Sequence, residues 1–502
     1  MDPAYDARVR GVNDRPVRSD RGYVLYWMIA TRRAAFNYAL DRAAGWAERL
    51  GRPLLVLEAL RTDYPWASDR LHRFVIDGMR DNAADFASGP ACYYPYVEPA
   101  IGAGKGLLAH LAANACIVIT DDFPCFFLPN MVASAGRTLG VRLEAIDSNG
   151  LLPVRTTTHT FTAAAHFRRF VQHELRAHLT RHPHERPLEG RRLAPLAGLP
   201  AGTETRWPRA DRRLLDGDPA SLASLPIDHR VPVAPTRGGR TAALAALHHF
   251  VSTRLEGYHE SRNQPDADAT SRLSPYLHFG HVSPHEIFKA VMRREQWSTS
   301  RLGRQATGAR EGWWGVSRGA ESYLDQLVVW RELAFNMCAT RPDDYDRFES
   351  LPEWARRTLA AHARDKRPHV YTLAQFEDAE THDALWNAAQ RQMREEGWFH
   401  NYLRMLWGKK ILEWSATPHD ALYVMRSIMD RWSLDGRNPN SYAGYFWTLG
   451  RYDRPWPERP IYGTVRSMSS ESTKRKVAVR RYVVRYGGEP AGGPAQGTLL
   501  PR

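Results

Sequence analysis

From residue 22 to about 150, short and almost wholly apolar runs alternate with amphipathic stretches, and this pattern leaves few folds open. Residues 24–28, 53–57, 116–120 and 141–146 each read as a strand. Between the first two, residues 33–50 set Ala34, Ala35, Tyr38, Ala39, Ala43 and Ala44 on one side of a helix. Residues 67–86 read as a second helix. A strand that is apolar on both faces must be covered on both faces. The strands therefore predict a parallel, Rossmann-like sheet with helices above and below. Such a sheet often binds a nucleotide at its carboxyl edge. No G-x-G-x-x-G follows a strand here, and Gly102-Ala-Gly104-Lys-Gly106 lacks the spacing and hydroxyl residue of a P-loop. It reads as a turn entering a helix.

The remainder of the chain is different. Residues 159–181 predict an amphipathic helix, and 182–240 are dense in Pro, Gly, Arg and Asp with weak periodicity. Helical periodicity dominates after Thr241, over 242–257, 284–297, 319–340, 354–363, 382–396, 400–414 and 418–432. Thr417 and Pro418 suit the last of these as N-cap and first residue. The expected organisation is an α/β domain over 20–155, an interdomain connection over 156–240, an all-α domain over 241–482, and a disordered Gly/Pro-rich tail over 483–502.

Composition narrows the classes of function. At 502 residues the chain exceeds one ordinary domain, and 43% hydrophobic with 25% charged residues suits a soluble globular protein. No run approaches the ~18 apolar residues of a membrane helix. Residues 1–18 are charged and lack an apolar segment, so they do not read as a secretory signal, and Asp2, Asp6 and Asp14 make a poor transit peptide. Cys92, Cys116, Cys125 and Cys338 have no metal-ligand spacing and read as reduced thiols of a cytoplasmic protein. No metal site is expected. Net charge is +14, with basic clusters over 181–192, 293–310 and 474–481, which favours an anionic partner such as nucleic acid.

Seven of the 16 tryptophans fall within the 71 residues from Trp386 to Trp456. Trp407 and Trp414 are seven apart on a predicted helix, hence on one face and about 10 Å apart along its axis. Indoles so spaced can pass an electron, stack on a planar ligand, or simply fill a core. Upstream, Ala269-Thr-Ser-Arg-Leu-Ser-Pro-Tyr-Leu-His-Phe-Gly280-His-Val-Ser-Pro284 places hydroxyls beside Arg272 at a helix start, a corner suited to phosphate.

That string resembles the flavin-diphosphate segment of the photolyase/cryptochrome family. Leu385-Trp-Asn-Ala-Ala-Gln390, Phe399 to Trp414, Leu434-Asp-Gly-Arg-Asn-Pro-Asn440 and Arg459 to Arg466 resemble class II cyclobutane pyrimidine dimer photolyases in particular. The resemblance spans most of residues 20–482. It implies an α/β N-terminal domain followed by an all-α domain that binds FAD. Tyr258, Ser271, Arg272, Leu273, Ser274 and Arg331 would lie on FAD, Arg404 and Asp435 would form an ion pair against its ring system, and Asn401 and Asn440 would be near it. Trp386, Trp407 and Trp414 match a photoreduction relay whose hole migrates to the surface. Trp330, Met405 and Trp447 match walls of a pocket for a dimer flipped out of double-stranded DNA. Asp453, Arg454, Trp456, Arg466 and Arg262 would hold the opened duplex. An antenna pigment, deazaflavin or folate, is possible in the N-terminal domain, with no motif that decides. A monomer is the default.

One position departs from the family pattern. Class II enzymes carry a Glu four residues before the position of Trp330, and this chain has Gln326 there. An amide can hydrogen-bond the dimer but supplies neither proton nor charge. The resemblance implies light-driven repair by electron transfer from reduced FAD. Gln326 also keeps a cryptochrome-like photoreceptor with weak or no repair in view. Leu406 is a smaller departure, at a place where related enzymes often carry an aromatic residue.

Overall fold

The computed structural model describes residues 7–487. Its sheet has six strands, β1 Val9–Gly11, β2 Tyr23–Met28, β3 Leu54–Leu60, β4 Cys92–Val97, β5 Ala115–Asp121 and β6 Leu143–Ile146. Their order is β1-β6-β5-β2-β3-β4, and all pairs are parallel except the edge pair β1–β6. The four predicted strands are present. Two were missed: β1 is three residues long, and β4 (Cys-Tyr-Tyr-Pro-Tyr-Val) lacks an aliphatic run. The first helix, Tyr38–Leu50, starts later than residue 33 because Asn37 caps it, its side chain accepting from Leu40 N at 2.9 Å. Gly106 stands at the N-cap of Leu107–Ala112, the helix entry that the glycine-rich turn predicted.

At the carboxyl edge of the sheet, β5 anchors the loop that follows β2. Asp121, at the end of β5, accepts from the backbone N–H groups of Ile29, Ala30 and Thr31 at 2.8–2.9 Å and from Tyr26 Oη at 2.8 Å. The loop so fixed is the seat of the helical part. Gly280 lies against it with φ +77°, and a Cβ there would stand 1.9 Å from the Ala30 carbonyl oxygen. Neither the dihedral nor the backbone contact tolerates a side chain. Gly280→Ala is expected to cost more than about 2 kcal/mol of stability. A chemical-denaturation midpoint equal to wild type would refute this.

Residues 182–240 form short helices, Thr203–Arg206, Arg212–Asp216 and Pro219–Ala223, pinned to the α/β part. Trp207 is buried with its Nε1 donating to the Ala103 carbonyl, and Arg73 Nη1 donates to that of Leu214. The 159–181 prediction contracts to Ala164–Glu174 and a 3₁₀ turn, Leu175–Ala177. Arg70, buried at the junction, donates to the carbonyls of Pro232, Met393 and Trp432 and so joins the sheet's helix Asp69–Ala87 to the helical part.

The helical part includes Arg240–Thr253, Pro284–Arg294, Glu353–Ala361, Ala384–Glu396, Asn401–Trp414, Pro418–Trp432 and Pro439–Thr448. Thr417 caps Pro418–Trp432 as expected, accepting from Asp420 N at 3.1 Å. Two corrections arise. The stretch 319–340 is not one helix: Arg318–Leu324 passes through a π-helical turn, Asp325–Trp330, into Arg331–Thr340. Such widened turns often sit at functional sites. The expected disordered tail does not begin at 483, because a helix runs over Arg480–Tyr486 with Tyr482 and Tyr486 buried; residues 488–502 lie outside those described. No described helix is long and apolar enough to cross a membrane.

Candidate active site

A cavity of about 820 Å³ opens among these helices. Every site residue named from the sequence lines it except Trp386, Trp414, Arg454 and Trp456. Stretches far apart in the chain contribute to the lining, among them the loop and short helix around 258–274, the π turn with Gln326 and Trp330, the start of Asn401–Trp414, and the segment from Asp435 to Arg466.

Arg404 and Asp435 form a two-pronged ion pair, Nη1–Oδ1 and Nη2–Oδ2 both at 3.0 Å. Arg404 Nε donates to the Phe399 carbonyl at 3.1 Å, and Ser433 Oγ donates to Asp435 at 2.6 Å. Burial would raise the Asp435 carboxyl, but Arg404 outweighs it and holds it below the usual carboxylate range. His400 caps the helix, its Nδ1 accepting from Tyr402 N, and burial with Arg404 and Arg272 nearby pushes it down to about 4. It is therefore neutral at pH 7, and the pair is the charged feature of this wall.

In the 269–284 string, Ser274–His278 is the short helix that Ser274-Pro275 predicted. Thr270 Oγ1 is buried without a partner, and so is His259 Nδ1 from the same cavity lining. Arg272 differs from expectation. It holds a left-handed backbone (φ +52°), its guanidinium binds Asp268 and Glu396 at 3.1 and 2.8 Å, and it lies over Trp398. Two carboxylates already balance it, so Arg272 is not a spare cation at this corner. Arg331 lines the cavity, yet its Nη1 donates to the Asn149 carbonyl at 2.6 Å, tying the site to the α/β part.

Gln326 is half-buried on the π turn and faces the cavity. Asp325 beside it is taken by Arg168 (Nε–Oδ1 2.7 Å). It is held and cannot replace the missing carboxylate. Leu406 is buried in the main core rather than on the cavity wall.

No protein-family model matches the chain. Curated relatives do. A deoxyribodipyrimidine photo-lyase of Methanothermobacter thermautotrophicus is 33% identical over 96% of this chain and 98% of that protein. One of Oryza sativa subsp. japonica is 34% identical over 92% and 87%. The chain belongs to the photolyase/cryptochrome family. Solved structures agree on the fold: a bacterial class III photolyase from Agrobacterium tumefaciens (TM-score 0.62, 16% identity, covering 93% of this chain and 86% of that one) and a Synechocystis cryptochrome (0.63, 15%, 93% and 88%).

In this photolyase/cryptochrome chain the tryptophans divide in space as the sequence could not specify. Trp407 lines the cavity and stacks on Trp386, centroids 6.2 Å apart and planes 5° from parallel. Trp386 meets Trp414 edge-on at 6.0 Å. Trp386 Nε1 donates to the Trp407 carbonyl and Trp407 Nε1 to Gln390 Oε1. The spatial order is thus 407, 386, 414, and the helix spacing of 407 and 414 is bridged by a third indole from Ala384–Glu396. Trp414 is 1% exposed, packed against Tyr371 and His382.

Trp447, Asp453 and Arg466 also line the cavity, while Arg454 and Trp456 are outside the lining. Trp456 is 38% exposed, with Arg454 and Arg466 over its ring. Sequence reasoning missed Asn438, which caps Pro439–Thr448 and donates to His278 Nδ1 at 2.9 Å, and it missed Lys409 behind Trp447. For Asn438 the N-P dipeptide after Arg437 was a legible cap signal. Lys409 carried no signal, since a lysine in a helix is ordinarily solvated.

Proposed function

We propose that this protein is a class II cyclobutane pyrimidine dimer photolyase, a light-driven DNA-repair lyase acting as a cytoplasmic monomer. One observation carries the reading: a single cavity joins the flavin-type string, the Arg404–Asp435 pair and the aromatic walls expected for a lesion. FAD suits the donors there. The unpartnered hydroxyl of Thr270 and ring nitrogen of His259 await a polar ligand, and Gly444 leaves open space where a Cβ would point. The volume is that of a cofactor-sized site. Tyr258, Ser271, Arg272, Leu273, Ser274, Arg331, Asn401 and Asn440 would hold FAD, with Arg404 and Asp435 against its ring system. Reduced FAD, when bound, supplies the light-excited electron that opens the cyclobutane ring and takes it back afterwards.

The chain's own residues bind, orient and exclude water. Arg404, fixed by both Asp435 oxygens, presents a positive group that needs no reorganisation. Trp330, Met405 and Trp447 offer flat or apolar surfaces to an extruded dimer, returning ~1–3 kcal/mol per stacked base against the few kcal/mol of extrusion. Asp453, Arg466 and Arg262 stand at the cavity, and Arg454 and Trp456 outside it, to meet the opened duplex. Binding to the DNA backbone should weaken with salt. Trp407, Trp386 and Trp414 would relay electrons inward.

A second cavity of about 440 Å³ lies between the sheet and the helical part, lined by Trp27, Tyr64, Tyr96, Phe123, Phe126 and Phe127 with Arg32, Arg61 and Lys105. It offers room and aromatic faces for a planar antenna pigment, while Arg32 and Arg61 are already paired with Glu58 and Asp63.

Gln326 favours one other reading, a cryptochrome-like photoreceptor with weak or no repair. Illuminating fully reduced, FAD-loaded protein with dimer-containing oligonucleotide separates the two: no light-dependent dimer loss rejects repair. If repair occurs, Gln326→Glu is expected to speed it. A hydrogen bond involving a charged group is worth ~1.5–3 kcal/mol against ~1 for a neutral one, which corresponds to about 2- to 30-fold. A variant no faster than wild type would show that Gln326 does not limit the reaction.

A further inference from the structure

Lys409 is 0% exposed on helix Asn401–Trp414. Its Nζ donates to the Thr448 carbonyl at 2.6 Å and lies 4.8 Å from the centroid of the Trp447 ring. Burying a lysine is costly, and a buried lysine is held by partners. The packing here is deliberate. Gly408, next in the chain, brings the helix close to Pro439–Thr448; a Cβ on it would stand 2.5 Å from Thr448 Oγ1. Tyr462 Oη donates to the Lys409 carbonyl at 2.9 Å, closing the other side. Trp447 is thereby gripped by two cations, Lys409 from within the protein and Arg466 at 6.0 Å in the cavity lining.

We propose that Lys409 is a positioning residue of the lesion pocket, its ammonium fixing the Trp447 indole and charging the floor behind it. The inference rests on the lesion-pocket reading above. A cation against an indole face is attractive and orients the ring, more so when desolvated. A positive charge here also favours a bound polyanion. The charged groups that act on Lys409 are Asp453 and Arg466 from the segment after Pro439–Thr448; Lys410 and Glu413 of its own helix pair with each other, and Tyr462 Oη bonds the Lys409 carbonyl. Asp453 Oδ2 is buried without a partner, although its Oδ1 accepts from Arg454 N and Trp456 Nε1.

Burial lowers Lys409 to about 7, Asp453 raising it and Arg466 lowering it further. A bound polyanion raises it again. Affinity for dimer DNA is then full below the free-protein value and is lost as pH rises through the bound-state value.

The test uses the full-length, FAD-loaded protein in the dark. Fluorescence anisotropy measures binding to a duplex oligonucleotide with one thymine dimer, and to the same duplex undamaged, from pH 6 to 9. Wild type is expected to lose preference for the dimer duplex as pH rises, with no matching slope for undamaged DNA. Lys409→Met is expected to lower that preference about tenfold at pH 6.5 and flatten the profile. Lys409→Arg, charged throughout, should restore the preference and stay flat. Wild-type preference and slope in Lys409→Met overturn the proposal. If Lys409→Met does not fold, Lys409→Arg decides: a wild-type slope in it overturns the proposal, a flat profile supports it. A wild type that does not prefer dimer DNA at any pH rejects the lesion pocket itself, and this inference with it.

Discussion

Asp435→Ala is expected to empty the protein of flavin and to lower its stability by about 3–5 kcal/mol, the cost of leaving one partner of a buried ion pair unpaired. Arg404 would keep its contact to the Phe399 carbonyl but lose both carboxylate oxygens and gain nothing in exchange. The readouts are flavin absorbance co-eluting with protein and the urea midpoint. Wild-type values in both would remove the ion pair from the account of the site. Asp435→Asn keeps the shape and should fall between. The wild-type pair also has a pH signature. The Asp435 carboxyl is lower in the folded than in the unfolded chain, so its stabilisation is present above the unfolded value and is lost as pH falls through the folded one. Acid should release flavin below the ordinary carboxylate range, and Asp435→Asn, which keeps part of its flavin, should lack that step.

Trp386→Phe is expected to slow photoreduction of oxidised FAD by at least about tenfold, equivalent to about 1.4 kcal/mol of barrier, while sparing repair by chemically reduced enzyme. Trp386 stands between Trp407 and Trp414 and touches both, so it offers the shortest indole-to-indole steps between them. Phenylalanine keeps most of the packing volume but loses the Nε1 bond to the Trp407 carbonyl. Repair lost in both conditions would assign Trp386 to the core. Photoreduction at the wild-type rate would place the electron route elsewhere.

These two variants probe different layers of what the sequence makes legible. The α/β part could be read because strands apolar on both faces, such as β2 and β5, admit only a covered parallel sheet. β1 and β4 escaped because an edge strand of three residues and one built on tyrosines carry little aliphatic signal. The helix ending at Trp414 was legible from its period, and the one ending at Trp432 from period and cap. The break at Asp325–Trp330 was not, since a π turn inserts into an otherwise helical pattern without a Pro or Gly to mark it.

What the sequence determined by itself is the inventory: which side chains are available, in which helices, and that the carboxylate expected at 326 is an amide. Tertiary structure alone decided what each of them faces. Arg168 takes Asp325, Asp268 and Glu396 take Arg272, and Asn149 takes Arg331. Most of these contacts join positions more than a hundred residues apart, and only Asp268–Arg272 is local. Two lysines adjacent on one helix also differ: Lys410 pairs with Glu413, and Lys409 is sealed against Trp447. No local pattern encodes that difference, because burial of a charge is set by the packing of a second helix against the first.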